Sequence, residues 1–181
     1  MMFITNYNLT ENQPFLRISE LSSEYYNKIC TELVKKEYRA FQRFSNPDNY
    51  LKLRLSTEKW LYNEFLTIGG KPLIRHPYYF VLGESSYLEK CFGPDTYKLQ
   101  LEINSNYSKD ISFTLGDSIS VFKTYRNITS QNVYDYKTIN KWISKLEFDL
   151  KYRETILSQK HTYIEAQLWN PYLLQYCQYK L

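Results

Sequence analysis

The sequence predicts an α+β fold, with a mixed, mostly antiparallel sheet of about five to seven strands flanked by three helices. Short stretches with apolar residues at every second position, or in one continuous run, mark the strands. Longer stretches with an apolar period near 3.6 residues mark the helices. Gly83, Gly93 and Gly116 stand singly, so there is no Gly-rich phosphate loop of the kind that opens a parallel nucleotide-binding sheet.

Taken in order, Tyr26, Ile29, Cys30, Leu33, Phe41 and Phe44 predict one long amphipathic helix from Ser23 to Phe44. Its outer face carries Lys28, Lys35, Lys36, Arg39 and Arg43, which could meet a phosphate backbone, but Glu24, Glu32 and Glu37 are interspersed and favour a solvated face. Tyr50 to Leu55 alternates strictly, with Leu51, Leu53 and Leu55 on one side and Tyr50, Lys52 and Arg54 on the other, which predicts a half-buried strand. Ser56 or Thr57 then caps a short helix with Leu61, Phe65 and Ile68 inward, stopped by Gly69-Gly70 and Pro72. Tyr78 to Leu82 is apolar throughout, as a central strand covered on both faces would be.

A helical turn is expected from Ser86 to Phe92, followed by alternating strands at Tyr97 to Ile103 and Ile111 to Leu115. Asp117, just past a strand, has the position of a catalytic carboxylate, but Gly116-Asp117-Ser118 reads in preference as a turn, and Ile119 to Phe122 as one more strand. Ile139, Trp142, Ile143, Leu146 and Leu150 mark a helix. His161 to Trp169 closes the set as a strand, with Ile164, Ala166 and Leu168 facing one way and His161, Tyr163, Glu165, Gln167 and Trp169 the other.

The 181 residues suit a single domain, 1–181, read as an N-terminal helical extension over 1–47 and a core over 48–181. A hydrophobic content of 43% with 18% aromatics supports a large core and excludes disorder. The longest apolar run, Tyr78 to Leu82, is far below the roughly 18 residues of a membrane helix, so no membrane association is expected. The start carries no secretory signal, which places the protein in the cytoplasm. Cys30, Cys91 and Cys177, odd in number and widely spaced, fit buried thiols rather than a disulfide framework or a zinc site. A net charge of +4 and 19 Tyr residues permit an anionic, stackable partner.

Glu165 and Gln167 share a strand face with Tyr163 and Trp169. A carboxylate flanked by large aromatics can sandwich a flat ligand while holding a hydroxyl or a developing cation. Mixed cross-strand pairs would produce the same pattern. Arg54 has the planar fork that grips phosphate, with Ser56-Thr57 beside it as a helix start. Arg75 and His76 sit together at the entrance of the Tyr78 strand, where either can touch phosphate or carry a proton. With two histidines in the chain, a Ser-His-Asp triad or a His-rich metal site has few ways to form.

The order of these elements resembles the ADP-ribosyltransferase fold, in particular the DNA-modifying ADP-ribosyltransferase toxins of bacterial toxin–antitoxin systems (DarT-like). The similar segments are Tyr50 to Leu55, the helix from Thr57 to Ile68, the Gly69-Gly70-Lys71-Pro72 turn, the aromatic strand Tyr78 to Leu82, and the late strand Tyr163-Ile164-Glu165-Ala166-Gln167. The likeness spans roughly residues 50 to 175 and departs in two places. The first strand offers Arg54 without a His, and the late strand reads Glu165-x-Gln167 where a paired arrangement would place the catalytic Glu second.

The resemblance implies that NAD is a substrate and that Glu165 is catalytic, stabilising the positive charge that develops on ribose as nicotinamide leaves. It also implies that Arg54 or Arg75 binds the diphosphate and that Tyr79 or Trp169 stacks on nicotinamide or adenine, with His76 and Gln167 completing the NAD site. The acceptor would be DNA, RNA or protein, and an antitoxin or immunity protein would be the partner of such a toxin or phage-defence effector. Two other readings remain open: a non-catalytic Tyr-rich module binding nucleic acid or protein, and a metal-independent ribonuclease using His76, Arg75 and a Tyr.

Overall fold

The computed structural model describes residues 2–9, 14–146 and 163–180. Six strands form one sheet: β1 (Met2–Leu9), β2 (Tyr78–Leu82), β3 (Thr96–Ile103), β4 (Ile111–Leu115), β5 (Ile164–Leu168) and β6 (Gln178–Lys180), in the order β4-β5-β2-β1-β3-β6. Every pairing between named strands is antiparallel, and the one parallel contact among the described residues is an isolated bridge from Gly116 to Ile164. The α+β expectation holds, with the sheet antiparallel rather than mixed. In place of three helices the described residues form α1 (Ser23–Val34), α2 (Pro47–Thr67), α3 (Ser86–Phe92), α4 (Ser118–Tyr125) and α5 (Tyr136–Leu146), with 3-10 turns between.

The strand-pair registers give the sheet two unlike faces. Ile4, Phe80, Leu101, Ile111, Phe113, Ala166 and Leu168 point to one side and pack with Ile139 of α5 and Leu173. On the other side Glu165 lies in register between Val81 and Thr114, and Gln167 between Tyr79 and Ser112. Against this face stand α1, α2 and a 3-10 segment over Arg39–Ser45, where Tyr26, Ile29, Cys30, Phe41, Phe44 and Tyr50 form a second cluster.

The N-terminus is a correction to the reading of residues 1–47 as a helical extension. β1 is an interior strand, paired with β3 over its whole length and with β2 on its other edge. Its apolar signal is blurred because polar side chains are interspersed and satisfied: buried Thr5 donates to Gly83 O at 2.6 Å and half-buried Asn6 to Tyr79 O at 2.7 Å. A buried polar group costs little when its hydrogen bonds are made.

The segment Tyr50 to Leu55 is helix, not strand, and Ser56 and Thr57 lie inside α2 rather than at a cap. The helix starts earlier, where the Asn46 side chain accepts from Asn49 N–H at 3.2 Å and Pro47 and Asp48 occupy the first turn. Its inward stripe is Tyr50, Arg54, Thr57, Glu58, Leu61 and Phe65. Three polar residues in that stripe hide the 3.6 period, so the alternating Leu51, Leu53 and Leu55 mimic a strand. The stop at Gly69-Gly70 is as expected, with Gly69 at φ +88° closing the helix.

Two further elements differ. The long helix from Ser23 ends at Val34, and the chain passes through Glu37 in the left-handed region, φ +58°, before the 3-10 segment. Ile119 to Phe122 belongs to α4, because Asp117 accepts from Ser120 N–H at 3.1 Å and nucleates a helix there. The helix marked by Ile139 is α5, and Tyr78 to Leu82 is a central strand as predicted; Leu150 and His161 lie outside the described residues. Cys30 and Cys91 are buried free thiols. No helix among the described residues is long and apolar enough to cross a membrane.

Candidate functional site

The site is assembled on β5. Its antiparallel register with β4 places Ser112 and Thr114 beside Gln167 and Glu165 on the polar face, and these side chains bond in series. Trp169 Nε1–H donates to Ser112 Oγ at 2.9 Å, and Ser112 Oγ–H to Gln167 Oε1 at 2.8 Å. The Gln167 amide then donates to Thr114 Oγ1 and to Glu165 Oε1, both at 3.1 Å. A second donor, the Ser118 backbone N–H, reaches Glu165 Oε1 at 3.3 Å. Two donors on one oxygen fix the carboxyl plane and leave Oε2 with no hydrogen bond from the described residues.

Glu165 is 6% exposed, and its pKa rises from 4.5 to about 7. Burial is the main cause and the Asp117 charge adds to it, while Arg54 and the side chains of Ser118 and Gln167 pull the other way. A carboxyl poised at that value switches charge near neutrality.

Opposite it, α2 delivers Tyr50, Arg54 and Glu58 at four-residue spacing, one above another on the inward stripe. Arg54 is 5% exposed; its Nη2–H donates to Tyr50 Oη at 2.9 Å and its Nη1–H reaches Ser118 Oγ at 3.5 Å. The guanidinium carbon lies 4.3 Å from the centre of the Tyr79 ring. Among the described residues no carboxylate comes within 4.0 Å of Arg54. Burial alone would lower its pKa, yet Tyr50, Tyr79, Glu165 and Asp117 raise it well above the ordinary value, so it keeps its charge. Burial pushes the Tyr79 phenol up in turn, so it remains a neutral donor, and its hydroxyl donates to Glu58 Oε1 at 3.1 Å. His76 Nδ1–H donates to Glu58 Oε2 at 2.6 Å, tying the outer histidine to the inner aromatic.

These groups line a cavity of about 250 Å³, walled by Tyr7, Tyr50, Tyr79 and Tyr163 and containing Arg54, Glu58, Asp117 and Glu165. A buried cation with spare N–H donors takes an anionic group, aromatic walls take a flat one, and a carboxylate oxygen without a partner takes a hydroxyl or a developing cation. Among the described residues no group of three or more His, Cys, Asp or Glu side chains could hold a metal ion.

The structure thus brings Glu165, Arg54 and Tyr79 together, three residues singled out in the sequence. His76 reaches the cluster through Glu58 but is not part of the cavity wall. Gln167 is fully buried and acts on Glu165 rather than on a ligand, a correction to its place in the NAD site. Trp169 is likewise no stacking surface: it is fully buried, packed against Phe65 and Tyr62, and its N–H is spent on Ser112. Arg75 is exposed and does not line this cavity, whereas Arg54 does, together with Arg17 and Arg43. Tyr50, Glu58, Ser112, Thr114 and Ser118 were not singled out in the sequence. For Tyr50 and Glu58 the signal was the spacing from Arg54 by four residues on either side, visible once that segment is read as helix.

Comparison of the chain with protein-family models, with curated proteins and with solved structures finds no match.

Proposed function

We propose that the protein is a mono-ADP-ribosyltransferase that cleaves NAD and transfers ADP-ribose to a nucleic-acid acceptor, as a toxin or defence effector. One observation carries this reading: a buried carboxylate with one unbonded oxygen and a buried, carboxylate-free guanidinium share a small aromatic cavity. NAD carries the complementary groups, namely a diphosphate, two flat bases and ribose hydroxyls beside a bond whose rupture develops positive charge.

In the reaction Arg54 takes a phosphate of the diphosphate, and Tyr79, held from behind by Glu58, offers its ring to the base. Ionised Glu165 accepts a ribose hydroxyl through Oε2 and stabilises the cationic sugar as the bond to nicotinamide lengthens. The bond from Gln167 and the Ser118 N–H hold the carboxylate in place before substrate arrives, so little reorganisation is required at the transition state.

The test is incubation of purified protein with labelled NAD and, separately, DNA, RNA and a cell lysate, with Glu165→Gln in parallel. Label transferred by the wild type and not by the variant is the expected result, together with an NAD-dependent rise in melting temperature. Folded protein that neither gains stability from NAD nor cleaves it would overturn the reading and favour a Tyr-rich binding module.

A further inference from the structure

Beside the Glu165 cavity lies a larger one of about 740 Å³. Among the described residues its lining carries three cations, Arg39, Arg43 and Lys123, and one carboxylate, Asp117. The two cavities share Ala40, Arg43, Tyr50, Leu88, Asp117 and Tyr163 as a common wall. Asp117 therefore faces both spaces, while Glu165 lines the smaller one alone.

The turn that holds Asp117 also holds Glu165. Gly116, at φ +95°, swings the chain out of β4, and Asp117 Oδ1 accepts from Ser120 N–H at 3.1 Å to start α4. The peptide joining Asp117 to Ser118 sends its N–H to Glu165 Oε1 at 3.3 Å. The two carboxylates are thus fixed to one peptide unit, and Asp117 Oδ2 accepts no hydrogen bond from the described residues.

We propose that Asp117 is the general base for the acceptor, which reaches the reacting sugar through the larger cavity. This deepens the reading of Glu165 as the NAD-cleaving carboxylate and rests on it. In the transfer step the bond from ribose C1′ to nicotinamide breaks, and nicotinamide leaves with the electron pair as a neutral molecule. An acceptor N–H or O–H supplies the pair that forms the new bond to C1′, and its proton passes to Asp117 Oδ2 and on to water. NAD and acceptor are consumed, and ADP-ribosyl acceptor, nicotinamide and one proton are produced. Three cations around the larger cavity select an acceptor whose nucleophile is flanked by phosphate, as in a polynucleotide.

The discriminating variant is Asp117→Asn, whose side-chain oxygen can still accept from Ser120 N–H and keep α4 capped. Two products are measured at pH 8: nicotinamide released to water from NAD alone, and ADP-ribose transferred to random-sequence DNA and RNA pools in separate arms. The expected result is a transfer rate that falls about 100-fold more than nicotinamide release does. A charge-reversed rim, Arg39→Glu with Lys123→Glu, tests the route without touching the turn: at equal NAD cleavage its transfer should be weaker than wild type at low salt and should fall less steeply as salt is raised. Equal losses of release and transfer in Asp117→Asn, or transfer as fast as in wild type, would overturn the assignment. Wild-type protein that releases no nicotinamide would overturn the reading of Glu165 itself.

Discussion

At the scale of single residues, Glu165 is costly to the fold and useful to the site. Its pKa is raised from 4.5 to about 7, so the folded protein holds that proton more tightly than the unfolded chain does. The associated penalty is absent below the ordinary carboxylate range, grows as pH rises through about 7, and is complete above it. Glu165→Gln retains acceptors for Gln167 and Ser118 while removing the buried charge. It should stabilise the protein at pH 8 by about 3 kcal/mol, or roughly 6 to 12 °C in melting temperature, and by much less at pH 5. Calorimetry at the two pH values checks this, and an equal shift at both would refute it. The same titration gives NAD cleavage an acid limb near pH 7, because protonated Glu165 cannot stabilise a developing cation. In Asp117→Asn the limb should move to lower pH, since one of the charges that raises Glu165 is gone; a pH–rate profile measures it.

At the scale of elements, α2 does most to organise the site, and it is the element that the sequence disguises best. A helix that buries Tyr50, Arg54, Thr57 and Glu58 lacks a clean apolar stripe, so its first turns pass for a strand. Its end is plain by contrast. A Cβ at Gly70 would lie 2.5 Å from the Phe65 ring, which stacks on Trp169 with centroids 5.9 Å apart. Both aromatics are fully buried, so neither can step aside cheaply. Gly70→Ala should therefore lose about 1 to 3 kcal/mol, read as a lower denaturant midpoint at unchanged slope. The effect should reach the site as well, because Trp169 anchors the hydrogen-bond series that ends on Glu165.

At the scale of the whole molecule, β1 joins the two halves of the sheet, with β4, β5 and β2 on one side and β3 and β6 on the other. Removing residues 1–9 would leave β2 and β3 with open inner edges and unpaired backbone groups. The truncated chain should fail to show a cooperative thermal transition, whereas a dispensable extension would leave one; circular dichroism distinguishes the two. The sequence by itself determined the α+β class, strands β2, β3, β4 and β5, the stop at Gly69-Gly70, and Glu165, Arg54 and Tyr79 as residues of interest, because local periodicity and side-chain chemistry are properties of short segments. Only the tertiary structure decided that β1 is interior, that the Arg54 segment is helical, that Gln167 and Trp169 support Glu165 instead of meeting a ligand, and that Asp117 stands between two cavities. Those outcomes depend on which buried polar groups find partners across the sheet, and such pairings join residues far apart in the chain that no local pattern connects.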